Sequence, residues 1–510
     1  MDKKKVIVVG GGTAGWISAA VIAAKHRSDV SVTLVESPDV PIIGVGEGTW
    51  PSMRATLKKI GLSETEMLRE TQGSFKQGTR FFGWSDGGSE EYLHPFSLPL
   101  EYPATTSVQG WLAAQSEDVA FASTVTPQDA IVKSNKAPKQ LSAPEYAFSV
   151  NYGYHFDAGK FALLLKRHCV DVLGVEYVSA NVEAALPNSS GDGIGSLRLD
   201  IGQDLSGDLF LDCTGQKALL IEKFFGVGSH SVSEILFNDR AIAVQVPYDN
   251  ENSEIASATV STAASAGWIW DIGLQNRRGI GHVYSSSFVN EDHAQQSLCD
   301  YVRQTAPNIQ IQDLSFKHLK FESGYRSRLW ESNCIAVGLS AGFVEPLEAS
   351  AIAMVEQSAE FIAEHLGASW ASMPAVARKF NDKMGHHWGR IVEFLKLHYV
   401  LNRRVDSEYW VQNRNRETCP TALLDNLEIW KHQIPGISDL PRVDELFPAA
   451  SYQYVIYGMQ GKGLMGEASR SGSCVAAAEK IQLQVSRKKQ ELLQTLPTNR
   501  RLLTQLCTHP

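Results

Sequence analysis

The chain begins with a buried, β-branched run, "KVIVV", which turns at three glycines into an alanine-rich helix and then into a second apolar run. Lys5 to Ser37 therefore predicts strand, tight turn, helix, strand. "PIIGVGEGTWPSMRATLKKIGL" reads as a glycine-punctuated loop carrying Gly46 and Glu47, then a helix from about Ser52. "GSFKQGTRFFGW" alternates with period two as one strand, with Ser74, Lys76, Gly78 and Arg80 on one face and Phe75, Gln77, Thr79 and Phe81 on the other. "GWIWDIGL", Gly267 to Leu274, places Trp268 and Trp270 on one face of a half-buried strand.

Later the strand, turn, helix theme returns in "NCIAVGLSAGFVEPLEASAIAMVEQSAEFIAEHL". Here the pattern predicts a strand from Cys334 to Gly338, a glycine loop, and a long apolar helix from about Glu348 to Leu366. From about Ala371 the chain reads as mostly helical. "KFNDKMGHHWGRIVEFLKLHYVL" is its clearest amphipathic run, and "AAAEKIQLQVSRKKQELLQTL" a final exposed helix. "YQYVIYGM", Tyr452 to Met459, reads as strand-like.

The first of these patterns carries chemistry. Gly10-x-Gly12-x-x-Gly15, with Thr13 and Ala14 between, joins a strand to a helix, and Glu36 ends the next strand about 20 residues on. Glycine allows the turn and lets backbone amides approach a pyrophosphate, the helix start adds partial positive charge, and Glu36 can accept from a ribose. A second match, Gly461-x-Gly463-x-x-Gly466, is followed by neither a compact helix nor an acid-tipped strand and reads as a flexible loop. A single dinucleotide site thus stands at the N-terminus.

Two other positions have bland readings on spacing alone. Lys76, between a small hydroxyl and a glycine, reads as a solvated or salt-bridged side chain. Glu348, after Pro346, reads as a helix-start acid, with the free amides of Ser350 and Ala351 in the first turn, where an anion is stabilised.

Composition narrows the partners. With 510 residues, two or three structural units are expected. A 43% hydrophobic, 20% charged chain of net charge -9 offers no basic surface for nucleic acid or anionic lipid. Seven scattered cysteines without a CxxC pair disfavour a disulfide framework and a zinc site, so no metal is expected and a reducing cytoplasm fits. Lysines before an apolar run resemble a signal peptide, but the triple glycine breaks the run. No apolar segment of about twenty residues is present to span a bilayer.

The fragments "GGGTAGW", "GVGEGTWP", "SFKQGTRF", "YHFDAGKFA", "LFLDCTGQKALLI", "DRAIAVQVPY", "GWIWDIGLQNRRGIGHVYSS", "FVEPLEAS" and "HYVLNRRVDSEYW" occur in order. Together they resemble the flavin-dependent halogenases of the tryptophan-halogenase family. The resemblance implies an α/β fold: a FAD-binding, Rossmann-type core shared with the aromatic hydroxylases, with an inserted β-sheet, over residues 1–370, and a mostly helical, substrate-covering region over 371–510. Trp268, Trp270 and Ile272 match the family's Trp-x-Trp-x-Ile-Pro signature, with Gly273 in the place of proline, which removes a fixed φ and adds conformational freedom.

By the same resemblance Lys76 and Glu348 are the active-site lysine and glutamate, and the amides of Ser350 and Ala351 hold the halide, with Ala349 replacing the family's usual serine. Gly10, Gly12, Thr13, Ala14, Gly15, Glu36, Gly46, Val182, Leu339 and Ile352 make up the implied FAD-contacting set. His94 and Phe96 would sandwich the substrate ring, with Trp268, Trp270 and Tyr454 nearby. The implied chemistry uses reduced FAD from a separate flavin reductase, and O2. A flavin C4a-hydroperoxide oxidises chloride or bromide to hypohalous acid, which Lys76 orients or captures and Glu348 polarises or assists by taking a proton. Desolvation between Ser74 and Gly78 would lower the Lys76 pKa and a nearby carboxylate would oppose this, so both Lys76 roles stay open.

The paired tyrosines that grip free tryptophan have only a loose counterpart in Tyr452, Tyr454 and Tyr457. Indole or another electron-rich small aromatic is therefore the expected substrate. A flavin-dependent aromatic monooxygenase and a non-catalytic flavin-binding regulator are the competing readings. Oligomeric state is not legible.

Overall fold

A computed structural model describes residues 3–40, 46–114, 119–460 and 475–508. The second glycine triplet, at 461–466, lies outside them. The chain forms two compact units, each assembled from three separate stretches: Met1–Gln72, Phe156–Val232 and Glu322–Gly389 in the first, and Gly73–His155, Ser233–Phe321 and Arg390–Pro510 in the second.

The first unit is built on a six-stranded sheet. Its strands run in the order Trp330–Glu331, Cys334–Ala336, Leu209–Asp212, Lys4–Val9, Val30–Glu36, Glu176–Ser179, and all neighbours are parallel except the first pair. Val6 to Val9 are all buried, as expected of a strand covered on both faces. The helix Thr13–Lys25 buries nine of its residues, and Ser350–His365 is the second long apolar helix. Two small antiparallel sheets, one containing Val182–Pro187, complete the unit.

The second unit carries a seven-stranded sheet in the order Phe316–Lys320, Arg240–Pro247, Arg277–Tyr284, Gly267–Gly273, Thr259–Ala264, Gly78–Phe82, Glu91–Pro95. Residues 74–82 are two strands here, not the single one expected. Ser74–Lys76 pairs with Gly153–Phe156, whereas Gly78–Phe82 joins the large sheet. Gly78, at φ +146, makes the break, and a Cβ there would lie 2.3 Å from the His94 carbonyl oxygen.

The strand-like reading of "YQYVIYGM" is also overturned, because it belongs to the helix Ala449–Gln460. Ten residues of that helix are buried, so its apolar residues encircle it and erase the periodicity that would distinguish helix from strand. The helix Val475–Thr495 is neither final nor exposed throughout. It buries Ala478, Ile481, Val485 and Leu492, and Asn499–Thr508 follows it. The described cysteines are free thiols, and no described helix is long and apolar enough to cross a membrane.

Candidate active site

In the first unit the glycine pattern is explained atom by atom. A Cβ on Gly10 (φ +119) would sit 2.2 Å from the Cys213 carbonyl oxygen, and one on Gly15 would sit 1.9 Å from that of Gly10. Both clashes are with backbone, which cannot move aside cheaply. Gly12, by contrast, faces open space and caps a helix with neither a side-chain cap nor an acid in its first turn, so the amides around Thr13 and Ala14 remain available to an anion. Glu36 curls over Gly11 and pairs through Oε2 with Lys166 at 2.9 Å.

Asp212, which the sequence analysis gave no role, folds the adjoining loop. Its buried carboxylate accepts from the Thr214 amide and hydroxyl (3.0 and 2.6 Å) and from the Leu220 and Ile221 amides (both 2.8 Å). An acid directly after the apolar run Leu209 to Leu211 was its sequence signal. Opposite the N-terminal helix, Gly338 approaches so closely that a Cβ would lie 2.6 Å from the Ala14 Cβ. Leu339 beside it stays 44% exposed, and Gly46 is left-handed and half-buried. An exposed leucine beside a glycine turn and an uncapped helix start form a cradle that suits a dinucleotide with an apolar ring system.

The second helix begins two residues later than its pattern suggested. Ala349, at φ +53, is its left-handed N-cap, and Ser350 its first residue. Glu348 therefore lies outside the helix, in a turn, and is not a first-turn acid. Its side chain is buried, and its carbonyl accepts from the Trp50 indole at 2.7 Å. No side chain caps the helix; Ser350 is buried, Ala351 exposed and Ile352 buried.

Two turns on, Glu356 accepts from the hydroxyls of Ser52 (2.8 Å) and Thr56. Burial pushes its carboxyl up to about 7, against the opposing pull of those hydrogen bonds, and burial likewise raises Glu47 to about 7. One turn beyond Glu356 lie Glu360 and its partners Lys25 and Lys59.

A raised folded-state pKa means that ionisation costs stability as pH climbs from the ordinary glutamate value of about 4.3 to about 7, by on the order of 3 kcal/mol for Glu356. Glu356→Gln should accordingly gain melting temperature relative to wild type between pH 5 and pH 8. Thermal melts at both ends of that window check it, and an unchanged difference would refute it.

In the second unit Lys76 is 1% exposed and its Nζ lies 5.4 Å from the centroid of Phe96, whose amide donates to the Gln77 carbonyl at 3.0 Å. Ser74 anchors this strand by donating to the Gly273 carbonyl. Gly273 is thus the paired end of a ladder and no free hinge, and a Cβ there would meet Ile255 and Tyr248 at 2.9 Å.

His155 faces Ser74 across the short ladder, one pleat from Lys76 on the same face. Its Nε2 bonds Thr259 at 2.8 Å, while Nδ1 has no hydrogen-bond partner among the described residues. Burial first, and the charge of Lys76 second, hold its pKa well below 6.5, so the imidazole stays neutral. No local motif marks this histidine in the sequence.

His94 bonds Ser451 at 2.9 Å and packs beside Phe394 and Tyr454 at 5.7 and 6.2 Å. Tyr454 donates to the Ser97 carbonyl at 3.0 Å. Trp268 is buried in an aromatic cluster with Trp84, while Trp270 lies flat over Gly281, where a Cβ would come within 2.1 Å of the indole. The structure thus groups Lys76 with Phe96, and His94 with Tyr454, in the second unit. The proposed FAD and halide residues lie in the first.

A parallel sheet that turns two helix starts at glycine loops, the first with the spacing of a dinucleotide site, defines a Rossmann-type dinucleotide-binding fold. More narrowly, the chain belongs to the tryptophan halogenase family, whose model matches residues 5–470. It is 32% identical to the tryptophan 6-halogenase ThaL of Streptomyces albogriseolus, over 99% of this chain and 98% of that one. The crystal structure of a tryptophan halogenase from Shewanella frigidimarina is similar at 41% identity and a TM-score of 0.94, covering 99% and 98% of the two chains. BrvH, a flavin-dependent halogenase from Brevundimonas sp. BAL3, is similar at 29% identity and a TM-score of 0.84, covering 99% of each.

Proposed function

We propose that the protein oxidises chloride or bromide at the expense of reduced FAD and O2 and transfers the halogen to an electron-rich, indole-like aromatic other than free tryptophan, with a separate reductase supplying the reduced flavin. Bound reduced FAD would supply two electrons to O2, turning it into the two-electron oxidant that the halide needs. Gly10, Gly12, Thr13, Ala14 and Gly15 would hold its pyrophosphate and Glu36 its ribose. Gly46, Val182, Leu339 and Ile352 complete its surroundings.

The amides of Ser350 and Ala351 seat the halide. Lys76 receives hypohalous acid, donating a hydrogen bond to its oxygen or taking the halogen onto nitrogen. As the C–X bond forms and the O–X bond breaks, the arene proton passes to Glu348 and the departing hydroxide takes a proton from the Lys76 ammonium to leave as water; where nitrogen carries the halogen, water leaves as the N–X bond forms and breaking that bond returns the amine. His94 and Phe96 flank the ring, with Trp268 and Trp270 behind.

The observation that supports the reading best is a fully buried primary amine set over an aromatic face beside a neutral imidazole. Such an amine is shielded from bulk water, which would otherwise consume the oxidant. The preference against free tryptophan has its own support. On the helix Ala449–Gln460 the Tyr452 hydroxyl accepts from Arg390 at 2.7 Å and that of Tyr454 donates to the Ser97 carbonyl, so each is already engaged within the protein.

The test is a panel of indole, substituted indoles and free tryptophan, each with bromide and with chloride, read by isotope pattern in mass spectrometry. Halogenated indoles in excess over halogenated tryptophan are expected. A hydroxylated product formed without halide would replace this reading with a monooxygenase.

A further inference from the structure

The corner that precedes the second helix is conformationally demanding. Ala349 is a non-glycine residue in the left-handed region, with no side-chain cap to hold it there. The Glu348–Ala349 peptide is instead gripped at both edges. Its N–H donates to the Pro346 carbonyl at 3.1 Å, and its C=O accepts from the Trp50 indole at 2.7 Å.

The indole is itself held in place. Trp50 begins the turn into the helix Ser52–Ile60, with the Met53 amide bonding its carbonyl at 3.2 Å, and that helix is tied to Ser350–His365 where Ser52 and Thr56 meet Glu356. The segment that follows the glycine loop therefore contacts the same helix twice, at its mouth and two turns in.

We propose that Trp50 is a positioning residue for halide binding: by fixing the Glu348–Ala349 peptide plane it aims the Ser350 and Ala351 amides. This rests on the halogenase reading above. Losing the indole N–H lets that plane rotate, so that Ala349 relaxes towards ordinary φ and the anion-binding amides turn away. FAD binding, governed by the glycine loop, is untouched.

The experiment uses the FAD-loaded protein and compares wild type, Trp50→Phe and Thr56→Val. In Trp50→Phe the bromide KM should rise about three- to ten-fold, as expected from loss of one buried hydrogen bond, with kcat at saturating bromide within about two-fold of wild type. The increase in melting temperature that bromide produces should weaken in parallel, a readout independent of turnover. Thr56→Val, which loosens the same helix pair without touching the corner, should lower the melting temperature and leave the bromide KM unchanged.

A wild-type bromide KM in Trp50→Phe overturns the proposal, as does an equal rise in Thr56→Val. Should phenylalanine prevent folding, site-specific incorporation of benzothienylalanine at position 50 removes only the donor, and the same two bromide readouts decide. A wild-type protein that shows no halide dependence overturns the halogenase reading itself, and this inference with it.

Discussion

Lys76→Ala should reduce halogenation by roughly 10³-fold or more while FAD binds with wild-type affinity, the size expected when a group that contacts the reacting atoms is removed. Lys76 is sealed from solvent and its amine is set over Phe96. Lys76 is not among the residues proposed to hold the flavin, so a change in flavin affinity is not expected. Single-turnover assays with FAD titrations separate the two effects, and halogenation by Lys76→Ala at near wild-type rate would sink the mechanism.

Lys76→Arg divides the two tasks given to the amine. Guanidinium donates hydrogen bonds but does not lose its proton in proteins. Activity that survives in Lys76→Arg therefore marks orientation of the oxidant, and its loss marks carriage of halogen on nitrogen.

Glu348→Gln is expected to lower kcat about 10²-fold, within the usual contribution of a positioned proton acceptor. The glutamine keeps the volume of a side chain that is buried in a turn, and the Trp50 bond to its carbonyl is unaffected. Halide binding should then remain near wild type, since the amides of Ser350 and Ala351 do not depend on the carboxylate. The checks are kcat and bromide KM in parallel, with trapping of released hypohalous acid by an added phenol. A kcat within a few-fold of wild type would remove Glu348 from the chemistry. A bromide KM that rises with an unchanged kcat would reassign it to the halide seat.

The sequence alone determined the dinucleotide loop and the family. Gly15 is required by the backbone of Gly10 in its own loop, so the spacing is legible without a fold, whereas the Cys213 carbonyl that Gly10 passes is not. The apolar run Val6 to Val9 and the body of the second helix were likewise readable, since burial leaves local apolar patterns, but its uncapped start at Ser350 was not.

Only the tertiary structure decided the rest. It broke residues 74–82 into two strands because Gly78 had to pass the His94 carbonyl. It made a helix of Tyr452 to Met459, because full burial erases the amphipathic signal. It brought Trp50 to the Glu348 carbonyl, His155 to the face of Lys76, and the Ser52 and Thr56 hydroxyls to Glu356. These partners are about 80 to 300 residues apart in the chain, and no period or motif encodes a hydrogen bond across that distance. It exists only once packing has fixed both ends.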